Sequence, residues 1–348
     1  NTKAFTPTHV YTEKFEDKSL PYVNGIKAPS DMWRYPSQHK GWDPLPLPNC
    51  CANGHPNEKE QLRYYGPGSG YTPHDFKAIV EEMKTDIILI GDSISAQWRR
   101  QLSCYLGAET HDDPNVKEEI TESFYRHRPD KQNEVVADWT GFYIPTDEEG
   151  APMRKLVLRP EKRDYPLTHT LAFLEYCLDQ YQHDFPGSKP VIVINIGLHY
   201  NHWEGEVQEL RQDIKRLAQL CVDKDGHCVF RETSPQYFET KEGNGLFRQI
   251  GGKCIKKPVE AFGKLNEWRN KSMYRALYDV TKNSPSSKNG GFLKVMPLFD
   301  KLVALDGHYT KNQKDCTHLG CLSNIWEPWH VSLTEVLYSI AGEETAKA

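Results

Sequence analysis

The sequence has 348 residues, room for two domains or one large α/β unit with insertions. Its 38% hydrophobic and 26% charged residues are enough for a core and exclude the composition of a disordered chain. Lys and Arg number 43 against 48 Asp and Glu, a net charge of −5 with no basic block, which argues against a nucleic-acid or anionic-membrane partner.

Residues 1 to about 80 are rich in Pro, Gly, Tyr, Trp and His, with turn signals such as Pro44-Leu45-Pro46-Leu47-Pro48 and Gly66-Pro67-Gly68-Ser69-Gly70. No helical or strand period persists there, so residues 1–83 read as an irregular arm, stapled by cysteine and packed on a main body spanning 84–348. In that body short β-rich runs alternate with amphipathic stretches. Strands are expected at Asp86 to Ile90, Val191 to Ile196, His227 to Arg231 and Phe292 to Leu298. Helices are expected at Ile94 to Leu106, Thr168 to Gln182, Glu206 to Cys221, Leu265 to Val280 and Ser332 to Ala341, where apolar residues recur at three and four. Leu210, Ile214, Leu217 and Leu220 illustrate one such face. Strand followed by helix, repeated, implies parallel strands joined by crossovers, hence a doubly wound, mostly parallel sheet flanked by helices. Ligands of such sheets bind at the carboxyl ends of the strands. The acidic Asp147-Glu148-Glu149 reads as a solvated loop.

The clearest apolar runs, Ile87 to Ile90 and Val191 to Ile194, fall far short of the roughly 18 residues that span a bilayer. No membrane contact is therefore expected from this chain itself. Its polar start lacks a signal peptide, so a targeting or anchor segment is expected to have preceded it. Nine cysteines without a Cys-x-x-Cys pair point to disulfides in an oxidising compartment, with at least one left free or paired to another chain. Cys221 and Cys228 would close a short loop and are the first choice for a local bridge. Cys254 with Cys316 or Cys321 would tie a late turn to the sheet, a pairing that order alone leaves open. Asn270-Lys271-Ser272 is a glycosylation sequon compatible with secretion.

Chemistry is concentrated at strand ends. Ile87-Ile88-Leu89-Ile90-Gly91-Asp92-Ser93 is a buried strand running through a sharp turn into a helix, which stands Ser93 at a helix N-terminus. Free backbone N–H groups and the positive end of the helix dipole stabilise a developing oxyanion there. Simple capping by Asp92 or Ser93 is the competing reading. Near the other end stands Asp315-Cys316-Thr317-His318. A serine nucleophile needs a base, and the imidazole needs an acceptor to fix its tautomer. Asp315 and His318, three apart, supply both. Asn195-Ile196-Gly197 follows the strongest strand, where the Asn195 side-chain N–H would join the Ser93 amide in an oxyanion hole and Gly197 would line the site. Arg231, ending the next strand, is a candidate for holding a carboxylate or sugar hydroxyls, or for a structural ion pair. His199 and His202 lack a third ligand nearby, so no metal is expected.

Taken together these segments resemble the SGNH/GDSL hydrolase superfamily. Within it they are similar to the PC-esterase group and its trichome birefringence-like polysaccharide O-acetyltransferases. Four stretches carry the resemblance. Cys51-Ala52-Asn53-Gly54-His55-Pro56 with Leu62-Arg63-Tyr64-Tyr65 is similar to the Cys-rich entry segment. Gly91-Asp92-Ser93 is followed by Leu102-Ser103-Cys104 at about the usual distance. Phe230-Arg231-Glu232-Thr233-Ser234-Pro235 with Phe238, then Gly251-Gly252-Lys253-Cys254, resembles the central elements. Asp315-Cys316-Thr317-His318 with Cys321 resembles the closing one. The chain departs from the plant pattern at Ala96-Gln97-Trp98, at Leu319-Gly320 before Cys321 and at Tyr237. These departures bear on acceptor and donor rather than on the triad, and a plant cell-wall polymer is not implied.

The resemblance implies an SGNH-like catalytic domain over 84–348 in the secretory pathway, Golgi lumen or outside the cell. It implies an enzyme that moves an acyl group, acetyl first, onto carbohydrate hydroxyls through Ser93, His318 and Asp315. No cofactor is expected to be bound; the donor, an acetyl ester or acetyl-CoA, is a substrate. An esterase with the same triad is the alternative. A carbohydrate-binding protein with an idle triad is a third reading, in which aromatics such as Trp33, Trp42, Trp98 and Trp203 would stack on sugars. For acceptor binding in the transferase, Trp33, Tyr64 and Tyr65 of the arm are the expected stacking surface, with a structural belt as the competing reading.

Overall fold

The computed structural model describes residues 33–34, 63–64, 70–107, 120–128, 131–144, 154–160, 167–200, 204–238, 268–282, 293–303, 316–319 and 323–347. Two short strands, β1 (Trp33–Arg34) and β2 (Arg63–Tyr64), pair antiparallel. Helix α1 (Pro73–Glu82) follows, where the sequence reads as irregular. Its signal is local: Thr72 Oγ1 accepts from the Asp75 amide at 3.2 Å while Asp75 Oδ2 accepts from the Thr72 amide at 2.7 Å, and Pro73 occupies the first helical position.

The main body runs β3 (Ile87–Gly91), α2 (Ser93–Tyr105), β4 (Ile120–Arg128), β5 (Lys131–Ile144) and β6 (Arg154–Pro160). It continues with α3 (Leu167–Asp179), α4 (Tyr181–Asp184), β7 (Val191–Ile194), α5 (Glu204–Asp223) and β8 (His227–Arg231). Helix α6 (Trp268–Thr281), β9 (Leu293–Met296), α7 (Phe299–Val303) and α8 (Ser323–Lys347) complete the described chain.

Strands β4-β5-β6-β3-β7-β8-β9 lie in that order in one sheet. The five from β6 to β9 are parallel, and β5 and β4 extend the sheet antiparallel beyond β6. Counted along the chain, the parallel strands take the order 2-1-3-4-5, whose topological switch point lies between β3 and β7. The fold is thus α/β with a mostly parallel sheet, as the alternation of elements predicts.

Alternation along the strands divides the core into two. Ile87, Leu89, Leu156, Leu158, Val191 and Val193 face a layer that includes Phe76 and Val80 of α1, Trp98 and Leu102 of α2, and Trp326, Trp329 and Leu337 of α8. Ile88, Ile90, Val157, Ile192, Ile194 and Phe230 face the other layer, with Phe173 of α3, Leu217 of α5 and Leu277 of α6. Strands buried on both faces are what the continuous apolar runs require. Tyr64 is fully buried in the first layer, and its amide donates to Glu327 Oε2 of α8. A side chain so buried offers no face for a sugar to stack on. Among the described residues no helix is long and apolar enough to cross a membrane.

Candidate active site

Asp92 is the N-cap of α2, and its Oδ1 accepts from the amides of Ile94 (2.9 Å) and Ser95 (3.3 Å). The Ala96 amide bonds to the Asp92 carbonyl, so the Ser93 amide is the first-turn donor that no described residue takes. Capping therefore falls to Asp92, which is buried and holds the helix, while its neighbour Ser93 is exposed. Glycine at 91 is needed for this turn, because a Cβ there would lie 2.1 Å from Ser95 Oγ.

His318 Nε2 lies 2.7 Å from Ser93 Oγ across 225 residues of sequence. That is the hydrogen-bond reach a general base needs. The segment that presents His318 is fixed on both sides. The Tyr237 amide donates to the Cys316 carbonyl at 2.9 Å, and Cys316 is disulfide-bonded. Gln97 Nε2 donates to the Leu319 carbonyl at 3.1 Å while the Leu319 amide donates to Gln97 Oε1 at 3.2 Å. Asp315 lies outside the described residues, as do Cys50, Cys51, Cys254, Cys321, His202, Tyr65, Trp42 and Trp203.

Asn195 stands at the carboxyl end of β7, beside β3, as expected, but its amide protons point elsewhere. Nδ2 donates to the Arg231 carbonyl (2.8 Å) and to Thr233 Oγ1 (3.0 Å), and Oδ1 is buried with no partner among the described residues. A carbonyl facing the side chain requires a donor, so the amide orientation follows from the chemistry. In this geometry Asn195 braces β7 against the chain after β8 rather than offering a proton to an oxyanion. Gly197 belongs to the same brace, since a Cβ on it would meet Thr233 Oγ1 at 2.5 Å.

Arg231 is 2% exposed, which removes it from the ligand role. Nη2 donates to Ser95 Oγ at 3.0 Å, Nη1 donates to the Glu232 carbonyl at 3.0 Å, and the guanidinium lies 4.7 Å from the centre of the Trp329 ring. Burial lowers its pKa to about 10, opposed by the charge of Asp92, so it stays cationic at neutral pH. Arg269 of α6 is also buried, its pKa lowered by burial to about 9 and likewise supported first by Asp92. Its Nε and Nη2 donate to the carbonyls of Gly197 (3.0 Å) and Tyr200 (2.9 Å), which fixes the loop after β7. Two buried cations thus answer to the one acidic cap behind the serine.

Sequence reasoning missed Arg269, because a lone Arg in an amphipathic helix carries no signal of burial. Two further expectations are corrected. Trp98 is fully buried, with Nε1 donating to His330 Nδ1, so it cannot stack on a sugar. Asn270, the sequon asparagine, is 3% exposed: Oδ1 accepts from the Thr233 amide (2.8 Å) and Nδ2 donates to the Thr233 carbonyl (3.0 Å). A glycan has no room on that nitrogen.

In comparisons with known proteins, no family model matches the chain and no curated protein matches it.

Proposed function

We propose that this protein is a serine acyltransferase that moves an acyl group, acetyl first, from an ester or thioester donor to a carbohydrate hydroxyl. The observation that carries the serine chemistry is the 2.7 Å contact between His318 Nε2 and Ser93 Oγ at the carboxyl end of β3. The acetyl group and the sugar acceptor rest on the motif resemblance. In the first half-reaction His318 Nε2 takes the Ser93 hydroxyl proton as Oγ bonds to the acyl carbon, and the Ser93 amide, backed by the α2 dipole, donates a hydrogen bond to the oxyanion. Collapse breaks the bond to the donor oxygen or sulfur, which leaves with the proton from His318. In the second half-reaction a sugar hydroxyl gives its proton to His318 as its oxygen bonds to the acyl carbon, and the acyl–Oγ bond then breaks with His318 returning that proton to Ser93 Oγ. Asp315 is assigned to orient His318 on the motif alone.

Hydrolysis is the second reading, favoured by one observation: Ser93 is exposed and His318 only half-buried, so water can reach the acyl-enzyme. A transferase must hold its acceptor at an effective concentration that water does not match. The Cys221–Cys228 disulfide, with Cys104 and Cys316 also disulfide-bonded, supports placement in the secretory pathway or outside the cell.

The test is mass spectrometry of products after incubation with an acetyl donor and a panel of glycans, beside Ser93→Ala. Acetylated glycan that disappears in the alanine variant, with a loss of about 10³-fold or more, is the expected result. Free acetate whatever glycan is present, with rapid deacetylation of acetylated glycans, would replace the transferase by the esterase. Undiminished turnover by Ser93→Ala would remove both.

A further inference from the structure

We infer that Gln97 is a positioning residue that sets the distance between the base and the nucleophile, an inference that rests on the serine mechanism above. Gln97 lies four residues after Ser93 on α2, so both side chains leave the same face of one helix, a single turn apart. Its amide is of the one kind, shared only with Asn, that can donate to a backbone carbonyl and accept from the N–H of the same residue. It does so with Leu319, at 3.1 and 3.2 Å, and Leu319 directly follows His318. The helix that carries the nucleophile therefore holds the backbone of the base through two hydrogen bonds, closing a ring through Ser93 Oγ and His318 Nε2.

Position 97 is among those where the chain departs from the motif it otherwise resembles, and its reach matters. Asn is one methylene shorter and could not span to Leu319 from the same helix without moving the turn. The Tyr237–Cys316 bond fixes the other side of His318 but belongs to a different element, so it does not tie the base to α2. With the Gln97 clamp removed, the turn that carries His318 loses two hydrogen bonds to the helix that carries Ser93. Misplacement of a reacting group by about 1 Å costs on the order of 10²-fold in rate.

The experiment compares Gln97→Met, which keeps the length and loses both bonds, and Gln97→Glu, which keeps an acceptor for the Leu319 amide but faces its carbonyl with an oxygen. With nitrophenyl acetate as donor, kcat per folded molecule should fall about 10- to 100-fold in both variants, with KM within about threefold. The rate of Ser93 labelling by a fluorophosphonate should fall in parallel. In a Ser93→Ala background Gln97→Met should cause no further loss, because the two act through one step. Wild-type kcat and labelling in either folded variant would overturn the inference, as would a loss confined to the yield of folded enzyme. Failure of the serine mechanism reads differently: Ser93→Ala would then stay active whatever stands at 97.

Discussion

Arg231 Nη2 donates to Ser95 Oγ at 3.0 Å, bonding the end of β8 to the first turn of the helix that carries Ser93. The same guanidinium reaches the Glu232 carbonyl and lies against Trp329 of α8, so three elements meet on one planar cation. Lysine is a point charge and cannot serve these directions together. Arg231→Lys is therefore expected to lower stability by about 1–3 kcal/mol, the range for buried hydrogen-bonding groups left unpaired. In urea unfolding the midpoint should drop with the slope unchanged. An unmoved midpoint would mean that these contacts do not stabilise the fold.

His330 gives stability a predictable acid limb. Trp98 Nε1 can only donate, so Nδ1 of His330 must be the unprotonated acceptor, and burial lowers the pKa to about 3. The unfolded chain binds a proton at this residue below about pH 6.5 and the folded chain does not, so stability falls as pH falls from about 6.5 to about 3. The contribution is at most about 1.4 kcal/mol per pH unit and vanishes above that window. Urea unfolding of wild type and His330→Gln between pH 4 and 7 should show the shallower acid limb in the variant. Equal slopes would mean that His330 titrates normally in the fold.

The Cys221–Cys228 bridge joins the last turn of α5 to the start of β8 across a sequence separation of 7. The turn between them is also built locally, with the Gly226 amide donating to the Cys221 carbonyl and Asp225 at φ 50°. Closing so short a loop in the unfolded chain is worth roughly 2–3 kcal/mol on the chain-entropy account. Cys221→Ala/Cys228→Ala should lose about that much while keeping its activity, because the bridge is remote from the strand ends that hold Ser93. A loss below about 0.5 kcal/mol would leave the bridge without a stabilising role.

How far the sequence was legible depends on which forces fix each element. Strands β3, β7 and β8 are buried on both faces, so their apolar runs stand out, and His227–Arg231 falls where it was expected. Strands β4 and β5 carry Glu122, Arg126, Lys131 and Glu134 among their residues, and that charge hides the strand pattern. Helix α8 begins well before the expected Ser332, because Trp326, Pro328 and Trp329 disguise the first turns of a helix that packing holds. At the site, the pairing of Ser93 with His318 follows from residue types: a hydroxyl and an imidazole are what the proposed serine chemistry would need. The roles of Gln97, Asn195 and Arg269 were not legible, since each is defined by a backbone group distant in sequence.

Asn270 tests the packing behind the site independently of any activity. Its two hydrogen bonds to Thr233 satisfy an N–H and a C=O of the chain that leaves β8 towards Tyr237. Ser272, the other sequon residue, bonds back to the Trp268 carbonyl within α6 and to no other described residue. Glycopeptide mapping of protein secreted from a glycosylating host should find Asn270 unmodified, since an attached sugar would need the space that Thr233 fills. Asn270→Ala should lower stability by about 2 kcal/mol, because it leaves two buried backbone groups without partners. Ser272→Ala abolishes the sequon equally well and should cost less than about 1 kcal/mol, as only a helix back-bond is lost. Comparable losses in the two variants, or a glycan on Asn270 in most molecules, would mean that α6 does not pack against Thr233 as described.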